Sequence, residues 1–144
     1  MAFPFVEQNN LSRARLQAVT ARLSEDDLAL STPYGWTIAG LLAHLAWWDQ
    51  RVLVLLQRWK EKGVDESPVD SQAVNDALKP LCHAIEPRRA ISLCLASAKA
   101  VDAELETIRP DLVERIEATA TQFRFNRALH RNDHLHDIEA LLRS

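Results

Sequence analysis

Along most of this chain apolar residues recur at intervals of three and four, the spacing that gathers them on one face of an α-helix. Leu16, Val19 and Leu23 mark a first helix that ends near Ser24, where Glu25 and Asp26 open a short further turn. Pro33 and Gly35 break the pattern, and Thr37 then caps a second long helix with Trp36 packing on Leu41 as a hydrophobic staple. The stripe Leu41, Leu45, Trp48, Val52, Leu55 and Trp59 carries this helix to about Lys62, although Gly40 stands where a complete capping box has Glu or Gln. GVDESPVD reads as a loop, and Ser71 can cap a shorter helix that Pro80 interrupts or kinks. Pro87 suits the first position of a third long helix, whose stripe Ile91, Leu95, Ala98, Val101, Leu105 and Ile108 stops ahead of Pro110. PDLVERIEATAT reads as a polar connection. After it, a last helix from about Phe123 aligns Arg127, His130, His134, Ile138 and Leu141 on one face.

These elements predict one all-α domain over residues 1–144, a four-helix bundle of antiparallel helices with one longer connection. Composition agrees: only 3 Gly and 6 Pro interrupt a chain rich in Leu, Ala, Glu and Arg, which favours long helices over tightly turned strands.

Charge narrows the function. A formal net charge of -3 with acids and bases interspersed offers no broad positive face, so nucleic acid is not an expected partner. No apolar run nears the roughly 20 residues that span a bilayer, and no basic segment followed by an apolar one opens the chain, so a membrane is not expected either. Without an export signal the expected compartment is the reducing cytoplasm, where Cys82 and Cys94 are expected as buried free thiols.

The chemistry lies in the histidines. His130 and His134, in HRNDH, stand four apart and so share a helix face one turn apart, the spacing that chelates a single ion. Arg131 follows the first of them where a helical zinc protease has its Glu base, which excludes that type of peptidase. His44 flanks the apolar stripe between Leu41 and Trp48 and can reach the interior. A buried, hydrogen-bonded packing histidine is the competing reading for each residue singly; for the three together a divalent transition metal is the expectation. His136 points about 200° from His134 and is expected at the surface, and His83 is expected to be structural. Asp133 and Asp137 flank the pair, where either could accept a ring N–H or simply face solvent. Asp49 lies about 140° round from His44 and is expected to be a surface acid.

GWTIAGLLAHLAWWDQ and HRNDHLHDIEALL, in that order, resemble the DinB-like family of metal-dependent enzymes: a Trp-Thr helix start followed by an inward His, and a closing HxxxH helix. The likeness extends less specifically through AVNDAL to LETIRPDL. It implies a four-helix bundle, often dimeric, with His44, His130 and His134 as the metal ligands and open coordination positions for water or substrate. Activities assigned within the family include thiol-dependent S-transfer, an isomerisation using a small thiol cofactor, and hydrolysis.

The expected function is therefore a divalent-metal-dependent hydrolase or thiol-dependent S-transferase acting on a small molecule. Zinc or nickel is favoured and iron is the further candidate. A low-molecular-weight thiol is the candidate second substrate, and a homodimer is what the family resemblance implies, with Trp47, Trp48 and Trp59 offering more aromatic surface than one core stripe needs. The alternative is a non-catalytic, stress-related bundle that holds metal or ligand. The sequence names no catalytic acid or base.

Overall fold

A computed structural model describes residues 2–144, and the described chain is all-α. Its elements are α1 (Pro4–Thr20), α2 (Glu25–Ala29), α3 (Ile38–Lys62), α4 (Ser71–His83), α5 (Pro87–Glu106), α6 (Pro110–Thr119) and α7 (Ala128–Arg143). Four packings organise the molecule: α3 against α5, α5 against α1, α1 against α7, and α7 back against α3. The short α2 and α4 cover the end where α3 begins.

Local chemistry accounts for most boundaries. Ser24 and Asp27 close a full capping box on α2. The Thr37 side chain accepts from the amide of Gly40 at the start of α3. In place of the Glu or Gln missing from position 40, Nε2 of His83 from α4 accepts the Thr37 amide at 3.3 Å. Gly40 makes room for this, since a Cβ there would lie 2.4 Å from His83 Cδ2. His83 is thus structural, as expected, and caps a helix other than its own.

Several boundaries differ from the sequence expectation. The cap of α4 is Asp70, whose side chain accepts from the amide of Ala73, and the helix runs past Pro80 to His83 without interruption. The connection PDLVERIEATAT is mostly helix: Pro110 both stops α5 and opens α6, whose Leu112, Val113 and Ile116 are buried. The last helix begins at Ala128 rather than near Phe123. Phe123 and Phe125 pack instead against the apolar cluster around Trp59, and a two-residue alternation of inward aromatics is incompatible with a helical face. Asn126 and Asn9 then supply side-chain oxygens to the amides of Ala128 and its neighbours.

The apolar core is divided. One cluster gathers Leu16, Ile38, Leu41, Leu45, Ala98, Leu135 and Ile138, and a second gathers Val52, Leu56, Trp59, Val101, Leu105 and Ile116. Between them lies a buried polar layer of Asn9, Ser12, Asp49, Asp102, Arg127 and Arg131. Asp49 is therefore no surface acid, being 3% exposed. Angle from His44 misled because α3 is buried nearly all round, and Asp49 stands on the stripe of Leu45, Val52 and Leu53.

His136 is exposed and both cysteines are buried and free, as expected. The three tryptophans do not make one exposed surface: Trp59 is 3% exposed, Trp48 is half-buried and only Trp47 is open. No described helix is long and apolar enough to cross a membrane.

Candidate metal centre

The first turns of α3 present His44 toward α7, and α7 presents His130 and His134 in return. The potential ligand atoms of the three all lie within 4.8 Å of one another. His44 Nε2 and His130 Nε2 are 3.1 Å apart. Two imidazole nitrogens at that range either share one proton or direct two lone pairs at a common cation. Ligands about 2.0–2.1 Å from a tetrahedral zinc sit roughly 3.3 Å from one another, close to the spacing of this pair.

Burial sets the protonation state. Desolvation, then the neighbouring His134, lowers the His44 pKa to about 4. Desolvation lowers that of His130 to about 2, helped by His134, His44, Arg127 and Arg131. His134 is lowered as well, by desolvation, against the opposing pull of Asp137 and Asp133. All three are neutral at pH 7, the form that donates to a metal.

The packing-histidine alternative predicts satisfied ring nitrogens. His44 Nδ1 and His134 Nδ1 are instead buried without a hydrogen-bond partner. Asp137 Oδ2 approaches His134 Nδ1 only to 3.9 Å, and accepts a 2.6 Å bond from the Tyr34 hydroxyl. Burial and that carboxylate together push the Tyr34 phenol up to about 12, so it remains a donor. Trp36 and Trp48 wall the cluster with edge-on contacts to His44, at 5.1 and 6.4 Å between ring centroids. Asp133 is exposed, the solvated reading of the two left open for it.

Sequence reasoning passed over the group that fixes the ligand-bearing helix. Arg131, 1% exposed, donates from Nε and Nη2 to Asp49, from both terminal nitrogens to Asp102, and from Nη1 to Ser12 and the Asn9 carbonyl. Arg13 adds a bond to Asp102, and Arg127 one to Asp49. Burial works against the charge on Arg131, but Asp49 and Asp102 outweigh it and hold its pKa above the ordinary value. The signal in the sequence was an acid on an apolar stripe: Asp102 falls among Ala98, Val101 and Leu105 as Asp49 falls among leucines.

Fold and site together define a class, an all-α protein with three converging, neutral histidines, two of them with an unpartnered buried ring nitrogen, that could bind a metal ion. The profile of the DinB superfamily matches residues 8–143, and the chain belongs to that family. Searches of curated proteins and of solved structures find no significant match.

Proposed function

We propose that this protein is a divalent-metal-dependent enzyme in which His44, His130 and His134 hold the ion, a four-helix bundle of α1, α3, α5 and α7 acting as the scaffold of a single domain. The observation that carries the reading is the convergence of the three rings, whose potential ligand atoms lie within 4.8 Å of one another with His44 Nε2 and His130 Nε2 3.1 Å apart. Three protein ligands leave a tetrahedral ion one position for water or substrate, the arrangement of catalytic rather than structural sites. Zinc and nickel suit three imidazoles best, with ferrous iron as the further candidate.

A divalent ion bound there would lower the pKa of a coordinated water or thiol and so supply a nucleophile near neutral pH. That chemistry supports hydrolysis or S-transfer from a low-molecular-weight thiol to a small substrate, in the cytoplasm and in a homodimer. The chain's own part is to keep the imidazoles neutral by burial, to fix α7 through Arg131, and to limit solvent with Trp36 and Trp48.

A second reading, a non-catalytic bundle that binds a ligand, draws on a cavity of about 550 Å³ that no histidine of the triad lines. Metal analysis by mass spectrometry on protein purified without chelators tests the first reading. Near-stoichiometric metal in the wild type, lost in His44→Ala and His130→Ala, is the expected result and justifies screening hydrolysis and thiol transfer. Protein that carries no metal and takes up neither zinc nor nickel would return the histidines to packing.

A further inference from the structure

A cavity of about 550 Å³ opens beside the histidine cluster, between α3, the 66–71 connection and the 119–127 connection. It lies along the same face of α3 as His44. Trp48, in edge-on contact with His44, stands one turn further on, and Trp59 stands about three turns beyond Trp48, so the cavity runs away from the histidines for roughly 16 Å. Its volume is that of a small-molecule site.

The walls are chemically lopsided. Trp48, Trp59 and Phe123 give flat apolar surface, while Arg51, Arg124 and Arg127 bring guanidinium groups against a single acid, Glu66. Arg127 is 6% exposed, and its Nε is held by Asp49 at 2.8 Å. Neither of its terminal nitrogens meets a protein acceptor among the described residues. Arg51 is set by Nη2 bonds to the carbonyl and hydroxyl of Ser67, at 2.8 and 3.0 Å, with its other nitrogens free. Burial, then the charge of Arg127, lowers the Arg51 pKa, the mark of two cations close enough to repel. Guanidinium N–H groups that line a cavity without protein acceptors are open to a ligand, and an oxyanion, which two or three arginines can hydrogen-bond at once, is the partner that suits them best.

We propose that this cavity binds a small organic oxyanion, a carboxylate or a phosphate monoester, with its charged end between Arg51, Arg124 and Arg127 and a flat or branched apolar body against Trp48, Trp59 and Phe123. The site goes beyond the metal reading: its donors are in place whatever the histidines hold.

Calorimetric titration of the protein as purified, with 4-phenylbutyrate, phenyl phosphate and the neutral 4-phenylbutyramide, tests it. At least one anion is expected to bind tenfold or more tightly than the amide, and whether carboxylate or phosphate leads identifies the natural headgroup. Arg124→Gln, at an exposed position that threatens no packing, is expected to weaken the anion about three- to tenfold with metal content and thermal midpoint unchanged, and Arg51→Gln at least as much with metal content unchanged. Equal affinity for amide and anion, or no binding of either anion at millimolar concentration, overturns the proposal. So does anion affinity that survives both arginine changes and disappears in His130→Ala, because the anion would then be seated at the histidines. Loss of metal in His130→Ala with anion binding retained leaves this site standing, and a metal-free wild type that refuses added zinc and nickel but still binds the anion would sink the metal reading alone.

Discussion

Arg131 holds Asp102 through two hydrogen bonds, Nη1 to Oδ2 at 2.9 Å and Nη2 to Oδ1 at 2.8 Å, from a position directly after one candidate ligand and three residues before the other. The same guanidinium reaches Asp49 on α3, one turn from His44. The rotation of α7, and with it the direction of both its histidines, is therefore fixed by directional bonds in a buried polar layer as well as by the apolar packing of Leu135 and Ile138. Replacing Arg131 by Ala leaves Asp49 and Asp102 buried with too little positive charge. Unfolding in urea is expected to show a loss of about 3–5 kcal/mol, as for other broken buried ion pairs. A loss under 1 kcal/mol would mean that water reaches this layer.

Metal binding should register as stability. An ion that binds the folded chain and not the unfolded one, present at about a hundred times its Kd, adds about 2.7 kcal/mol. Adding zinc or nickel to chelator-treated protein is expected to raise the thermal midpoint by several degrees. His130→Ala should show no such rise. A rise of equal size in the variant would place the ion elsewhere.

The histidine triad was legible because its signal is local: a four-residue spacing on a helix, and a third histidine beside an apolar stripe. The polar layer was not. Asp49 and Asp102 show only as charges, and nothing in their immediate neighbours says that Arg131, 82 residues beyond the first, neutralises both. The start of α7 failed for a related reason. A helical pattern extends backward from Arg127 on paper, but Phe123 and Phe125 are drawn into the cluster around Trp59 by tertiary packing. Helix α6 was hidden by its charged residues, although Leu112, Val113 and Ile116 keep a helical spacing.

Acid should destabilise the metal-free protein before its carboxylates titrate. The folded-state pKa values of His44, His130 and His134 lie below the usual imidazole value of about 6.5, that of His44 near 4. Above about pH 6.5 both folded and unfolded chains are neutral at these sites and stability is at its full value. Below it the unfolded chain takes up protons that the folded one refuses. Stability is then lost as pH falls toward 4, by up to about 1.4 kcal/mol per pH unit for each histidine. Denaturant midpoints between pH 7.5 and 5 measure this, and His44→Leu should flatten the curve. A wild-type midpoint constant over that range would show that the rings protonate freely when folded.

The contact between Gly40 and His83 makes a prediction of opposite signs. His83→Ala removes the acceptor for the Thr37 amide and the edge-on contact with Trp36, and is expected to cost about 1 kcal/mol, as for the loss of a helix cap. Gly40→Ala adds helix propensity but sets a Cβ at 2.4 Å from the His83 ring, so in the wild type His83 must swing away and surrender the cap. The gain and the loss there nearly cancel. In the His83→Ala background the obstacle is gone, and Gly40→Ala should stabilise by about 0.5–1 kcal/mol. A double-mutant cycle by thermal or urea unfolding gives the coupling, expected at about 1 kcal/mol. Strict additivity would mean that His83 does not cap α3 in solution, and that the missing capping-box residue at position 40 is left without a substitute.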